Sequence, residues 1–298
     1  MSRHDRDDTR TDLRAPAERV PESRELPRTE RPGIPMDRLT LPQGKEREPV
    51  RVRDQTYRLR ESEARILATV GAFRVVRADD LQAVRSSRDA WTGDLRALAD
   101  QGLVQLRTVD INRESTAVIA LTRAGRDVLE AHRTPDARRS QAFHAGLVKP
   151  REIGHDSQLY RLYQAEAARI ESDGGCVTRV ILDYELKREY QTFLNRPDRP
   201  EPADRDADME AYAGMSGLPI VDGHLELPDL RIEFETPDGR LEYRDVELVT
   251  EHYSRGQLAG KSTAGFALYK AAGAGQARGA GARRGGTPFD PHHMERLS

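Results

Sequence analysis

Apolar residues recur at helical spacing three times between Ser62 and Ala99. Ala64, Ile66, Leu67, Val70 and Phe73 form one face, Ala78, Leu81 and Val84 a second, and Trp91, Leu95, Leu98 and Ala99 a third that stops at Gln101-Gly102. The period then changes to that of strands. Leu103 to Thr108 and Thr116 to Leu121 are β-prone runs on either side of a polar stretch from Val109 to Ser115, which predicts a hairpin. Thr122 stands where an N-cap belongs, before a short helix over Ala124 to Ala131. The predicted order is helix, helix, helix, hairpin, helix.

The pattern resumes at His155 with an amphipathic helix carrying Leu159, Leu162, Tyr163, Ala167 and Ile170, ending near Asp173-Gly174-Gly175. Cys176 to Leu186 is β-rich, with Cys176 expected in the core. Lys187 to Leu194 reads as helix, Asn195 to Met209 as an acidic loop and Gly217 to Val221 as a short strand. Pro228 to Glu235 and Leu241 to Thr250 alternate in polarity around Thr236-Pro237-Asp238-Gly239, whose Pro-Asp-Gly favours a tight turn. From Ser254, a segment with Leu258, Lys261, Phe266, Leu268 and Tyr269 reads as one more helix, before 271–287 dissolves into Gly, Ala and Arg.

Composition narrows this picture. With 298 residues, 37% hydrophobic and 33% charged, the chain has room for two modest domains. Residues 1–50 hold 11 basic and 11 acidic residues and almost no large apolar ones, so a disordered arm is expected over 1–55. A disordered tail is expected over 272–298, and a linker, with Pro135, Gly146 and Pro150, over 134–153. The single cysteine rules out an internal disulfide or a thiolate zinc site within one chain. No apolar run approaches the ~20 residues that span a bilayer, so a cytoplasmic protein without a membrane partner is expected.

Two stretches carry a likeness. Leu98-Ala99-Asp100-Gln101-Gly102-Leu103-Val104 and Leu121-Thr122-Arg123-Ala124-Gly125-Arg126 match the "L-x-x-x-G-L-V" and "L-T-x-x-G-R" of winged helix-turn-helix regulators, which residues 56–133 therefore resemble. The resemblance implies a third helix in the major groove and a wing along the adjacent backbone. That assigns Arg85, Ser86, Ser87, Arg88, Thr92 and Arg96 to the reading helix, and Arg107 and Arg113 to the wing. The same module can serve protein contacts alone, and Trp91 reads as a core anchor rather than a base-stacking residue. Residues 51–134 contain 15 arginines against 12 acids, a net +3, which is compatible with duplex DNA without forming a polybasic surface.

Residues 154–271 resemble the α-β-β-β-α-β core of PD-(D/E)xK nucleases, on Pro228-Asp229 opening one strand and Glu247-Leu248-Val249 near the end of the next. The resemblance implies that Asp229 and Glu247 bind a divalent ion, Mg2+ or Mn2+, that activates water. Val249 stands where the family's lysine belongs, and Lys261 is the migrated substitute. No final strand is evident, so the core looks incomplete. This half carries 24 acids against 15 bases over 151–270, a net −9, so an acid at a strand end is as readily a solvated one, and the charge repels DNA. His155 beside Asp156 could serve as a metal ligand or base, but the pair stands where a helix begins and reads rather as a helix start with Asp156 as cap.

The succession of winged helix, His155-Asp156, Asp229, Glu247, then Lys261 and Tyr269 resembles the replication-relaxation family of plasmid and integrative-element proteins. The expectation is an α+β chain that binds double-stranded DNA through its first module, with a nuclease-like second domain that does not cut. Expected partners are DNA, a replication or mobilisation protein and a second copy of the chain. The alternatives are a divalent-metal nuclease using Asp229, Glu247 and Lys261, and a winged-helix transcriptional regulator.

Overall fold

The computed structural model describes residues 34–81, 88–111, 114–134, 140–199, 204–250 and 253–271, with backbone pairing alone at 18–19 and 295–297 and backbone alone at 88–92. The fold is mixed α+β. After a two-residue strand β1 (Glu18–Arg19) come a hairpin, β2 (Glu48–Val52) and β3 (Gln55–Leu59), and helix α1 (Glu61–Phe73). A short strand β4 (Val76–Arg77) leads into α2 (Ala78–Leu81) and α3 (Arg88–Asp100). Strands β5 (Val104–Ile111) and β6 (Glu114–Leu121) follow, then α4 (Arg123–Ala131). Strands β4, β6 and β5 form one antiparallel sheet in that order. The hairpin strands run further than the sequence pattern predicts, because Val109 to Ile111 pair with Glu114 to Thr116 rather than forming a polar loop.

Local chemistry explains the punctuation. Gly102 takes φ +69 and lets Leu103 N reach back to Leu98 O at 2.9 Å, closing α3. The Thr122 hydroxyl accepts from Gly125 N at 3.1 Å, capping α4, while it donates to Gly102 O at 2.6 Å. Gly125 is forced: a Cβ there would sit 2.1 Å from Leu103 O, so α4 can cross the start of β5 only on a glycine.

The second half begins with α5 (Pro150–Ser172), opened by Pro150 in the first turn. Strand β7 (Cys176–Leu182) and helices α6 (Asp183–Leu194) and α7 (Arg205–Ser216) follow, then a small hairpin β8 (Ile220–Val221) and β9 (His224–Leu225). Strands β10 (Leu230–Glu235) and β11 (Leu241–Val249), helix α8 (Arg255–Thr263), β12 (Ala267–Lys270) and β13 (Glu295–Leu297) complete the described elements. One sheet runs β7-β10-β11-β12, extended by β13 and β1. Strand β10 is antiparallel to both neighbours, and β12 is parallel to β11, with α8 as the crossover.

Several expectations are corrected. The final strand that the sequence does not reveal is β12: the helix expected to run to Tyr269 ends at Thr263, Gly265 turns at φ +80, and Ala267 and Tyr269 enter one core while Phe266 and Leu268 enter another. The arm expected over 1–55 is ordered from Ile34, because Ile34, Leu39, Leu41, Val50 and Val52 bury in the main core; residues 1–17 and 20–33, like 272–294 and 298 of the expected tail, lie outside the described residues. The loop expected over 195–209 gives way at Arg205 to α7, capped by Asp204 onto the amides of Asp206 and Ala207 at 3.0 and 3.1 Å. Cys176 is exposed, not core.

The expected linker 134–153 is packed where it is described. Phe143 is buried, His144 N donates to Gly71 O and Gly146 N to Leu121 O, each at 2.8 Å, and α5 already begins at Pro150. One hydrophobic core runs through both halves. Phe73 of α1 meets Tyr160 and Tyr163 of α5 at ring centroid distances of 5.1 and 5.3 Å, and the same cluster continues to Val180, Ile232 and Leu248 of the large sheet. A buried ion pair crosses the same boundary, Arg161 Nε of α5 lying 2.7 and 2.8 Å from the two oxygens of Asp80 in α2.

Candidate functional site

The register of β10 against β11 pairs Leu230 with Val246, which sets Asp229 and Glu247 side by side where the two strands meet α8. Each acid then grips the other's backbone: Asp229 N donates to Glu247 Oε2 at 3.1 Å, and Leu248 N donates to Asp229 Oδ2 at 2.8 Å. Helix α8 starts on Ser254, whose hydroxyl caps Gln257 N at 3.2 Å, and its direction returns Lys261 to the strands. Lys261 Nζ lies 3.3 Å from Glu247 Oε1 and 3.2 Å from Glu226 Oε2, and donates to Leu227 O at 2.6 Å. The Tyr253 hydroxyl donates to Glu247 Oε1 at 2.5 Å.

From the other side α5 contributes His155. Its Nε2 is 3.2 Å from Asp229 Oδ2 and its Nδ1 is 3.2 Å from Asp156 Oδ1. Asp156 Oδ2 in turn lies 3.1 Å from Arg74 Nη1, just past the end of α1. Asp156 therefore does not cap a helix, since α5 has begun six residues earlier; it bridges Arg74 and His155.

Asp229, Glu247, Lys261, Tyr253 and Glu226 border a cleft of 550 Å³, lined also by Asp183, Lys187, Asp222, His224 and Gln257, which His155 meets only through Asp229. Five carboxylates (Asp183, Asp222, Glu226, Asp229 and Glu247) face two lysines in it, so the cleft attracts cations. Burial pushes the Glu247 carboxyl up to about 7, the charge of Asp229 adds to the rise, and Lys261 and Tyr253 oppose it. Burial works against charge on His155, yet its hydrogen bonds to Asp156 and Asp229 prevail and raise it to about 10, leaving an imidazolium at neutral pH. Burial and the neighbouring carboxylates hold the Tyr253 phenol protonated, so it remains a donor to Glu247.

All three acid and base residues expected from the sequence, Asp229, Glu247 and Lys261, thus meet in one place. Tyr269 does not join them; it lies on β12 and donates to buried Glu166. Sequence reasoning misses Tyr253 and Lys187 as site residues and sets His155 aside. The adjacent His155-Asp156 pair is the one available signal, and its place in the pattern points to a helix start instead.

The residues expected to meet DNA divide differently. Arg96, on the outer face of α3, and Arg107, on β5, are exposed. Arg88 and Thr92 lie on α3, whose backbone alone is described there, and Arg85, Ser86, Ser87 and Arg113 lie outside the described residues. Leu95 and Leu98 hold the inner face of α3 in the core, with Asp94 buried against Arg60 Nε at 3.0 Å. The turn end of the β5–β6 hairpin is partly covered: Ile111, the last residue of β5, packs with Val75, Val118, Val148 and Ile153.

Compared with known proteins, the chain matches no family model, no curated protein and no solved structure.

Proposed function

We propose that this protein binds double-stranded DNA through residues 56–133 and hydrolyses phosphodiester bonds at the Asp229–Glu247–Lys261 cleft with a divalent cation. The observation that carries the reading is the return of Lys261 to within 3.3 Å of Glu247, supplying from α8 the ammonium that Val249 denies to β11. The order of strands β7, β10, β11 and β12 around α5 and α8 supports a nuclease-like core, and the order α1 to α4 with its hairpin supports a winged helix. The replication-relaxation kind, acting on a plasmid or integrative element, remains the family this reading favours.

The donors suit a hard cation. Asp229 and Glu247 offer carboxylate oxygens from adjacent strands, and Glu247 is raised partly because Asp229 is charged, a repulsion that a cation relieves. Among the described residues no three His, Cys, Asp or Glu side chains converge as a metal cage, so water or phosphate oxygens would complete the shell, as magnesium prefers. When bound, the ion supplies an activated water and neutralises phosphate charge. Lys261 stabilises charge gathering on the phosphate, Tyr253 and the Asp229 amide orient Glu247, and His155 orients Asp229.

A second reading rests on one observation: His155 beside Asp229 and Lys261 beside Glu247 neutralise both acids without a metal. In that case the cleft is a relic and the protein only binds DNA. Supercoiled plasmid incubated with the protein and Mg2+ or Mn2+ separates the two. Nicking or linearisation that disappears in Asp229→Ala and Lys261→Met supports hydrolysis. Duplex binding without cleavage by the wild type leaves the second reading.

A further inference from the structure

The β2–β3 hairpin sorts its basic residues into two groups. Arg47 and Arg60 are spent inside the protein: Arg47 Nη2 lies 2.6 Å from buried Glu63, and Arg60 Nε lies 3.0 Å from buried Asp94 of α3. Lys45, Arg51, Arg53 and Arg58 are exposed, and among the described residues none of them forms an ion pair. The strand pairing explains their direction. Val50, Val52 and Leu59 point into the core, so Arg51 and Arg58, paired with Thr56 and Pro49, share the outer face. Arg53 occupies the two-residue turn between Val52 and Gln55 at φ +52, a conformation that such turns normally give to glycine or asparagine. An arginine held there is strained, and strain of this kind collects where a side chain has a task.

The hairpin is also indexed to α3. The Gln101 side chain, at the end of that helix, accepts from Arg58 N at 2.7 Å and donates to Arg58 O at 3.1 Å. Lys45 and Arg58 then border a groove with Ala97 and Asp100 of α3, next to exposed Arg96. Glu46 and Asp100 are the acids on its rim.

We propose that this hairpin is a second DNA-contacting element, which sets Lys45, Arg51, Arg53 and Arg58 on the phosphates flanking the groove that α3 enters. The inference rests on the duplex-binding reading and extends it from the expected helix and wing to a hairpin whose first strand and turn the sequence pattern assigns to a disordered arm. Because these arginines and the lysine meet phosphate, they add affinity and orientation but no sequence preference.

The test is fluorescence anisotropy with labelled duplex across a salt series, comparing wild-type full-length protein with the triple variant Arg51→Ala, Arg53→Gly, Arg58→Ala. Binding should weaken equally for unrelated sequences, and the slope of log affinity against log salt should fall by about 0.9 for each phosphate no longer neutralised, roughly 2.7 in all. The melting temperature should change by only a few degrees, since Arg53→Gly relieves the turn while Arg58→Ala gives up a single exposed bond, from Nη2 to Arg47 O at 3.1 Å. An unchanged slope in a variant that melts normally overturns the hairpin's role. Arg96→Ala, measured alongside, keeps the two readings apart: weakened binding there with an unaffected hairpin variant leaves α3 as the DNA-binding element and rejects the hairpin. No duplex binding by the wild type rejects both.

Discussion

Removing Asp80 tests whether residues 56–133 and the cleft belong to one cooperative body. Asp80 is fully buried in α2 and is met at 2.7 and 2.8 Å by Arg161 of α5, itself buried. Arg77, also buried, feels the same carboxylate, its pKa lowered by burial and by the Arg161 charge but supported by Asp80. Asp80→Ala therefore takes from buried Arg161 the carboxylate it grips with Nε, and from Arg77 one of its supports, leaving that residue Glu114 at 3.7 Å. Breaking a buried pair by deleting one partner costs about 3–5 kcal/mol. At roughly 2–4 °C per kcal/mol for a chain of this size, the melting temperature should drop by about 10 °C or more. Asp80→Leu with Arg161→Met, which removes both charges, should recover most of it. Urea unfolding at pH 7 followed by Trp91 fluorescence, the chain having one tryptophan, reports on α3, and far-UV circular dichroism reports on the whole. Both probes should shift together in the variant. A loss under about 1 kcal/mol, or a Trp91 transition that moves while the circular dichroism transition stays, refutes the single-body argument.

Stability should also depend on pH through His155. Its pKa rises from its ordinary 6.5 to about 10 in the fold, so its contribution is complete below about 6.5 and is lost as pH climbs through 10. A rise of that size corresponds to a ceiling of about 5 kcal/mol. The ring is 30% exposed, and solvent screening brings this nearer 2 kcal/mol. Urea midpoints of metal-free wild type should fall between pH 6.5 and 10 more steeply than those of His155→Gln; parallel curves refute the assignment. At the start of α4, Gly125→Ala should cost about 2 kcal/mol or more, because its Cβ would meet Leu103 O at 2.1 Å and backbone must move; a stability within about 0.5 kcal/mol of wild type would show that the crossing is not tight.

Much of the fold is legible because local pattern and final burial agree. Helix α1 buries the apolar face read from Ala64 to Phe73, and Gly239 at φ +77 closes the β10–β11 turn where Pro237-Asp238-Gly239 predicts one. What stays hidden is short or diluted. Strand β12 is four residues long, and its alternation runs on in phase with the helix before it, so only Gly265 marks the change. Hairpin β2–β3 has its apolar residues, Val50, Val52 and Leu59, scattered among charges, so average composition hides a period of two. The acids and the lysine of the cleft are identifiable by type and spacing. Their meeting depends on strand register and on the direction of α8, neither of which any local pattern encodes. Along the chain only the adjacent Asp156 hints at the role of His155, because its other partner, Asp229, arrives from a distant strand.

Helix α5 gives the arrangement its consequence. Along one helix, Asp156 holds Arg74 at the end of α1, His155 holds Asp229 in the cleft and Arg161 holds Asp80 in α2. A flexible tether would let a cleft sample many positions around a bound duplex. Here the path from α3 to Asp229 passes through close-packed side chains, Phe73 against Tyr160 and Tyr163, and through buried charge. Packed interiors transmit position rather than absorb it. If α3 and the basic hairpin seat the duplex, the cleft therefore meets the backbone at a fixed offset from the site read, and any cut would be confined to a narrow set of positions. A spread of cut positions around one bound site would mean that the two halves part before the chemistry, which the continuous core argues against.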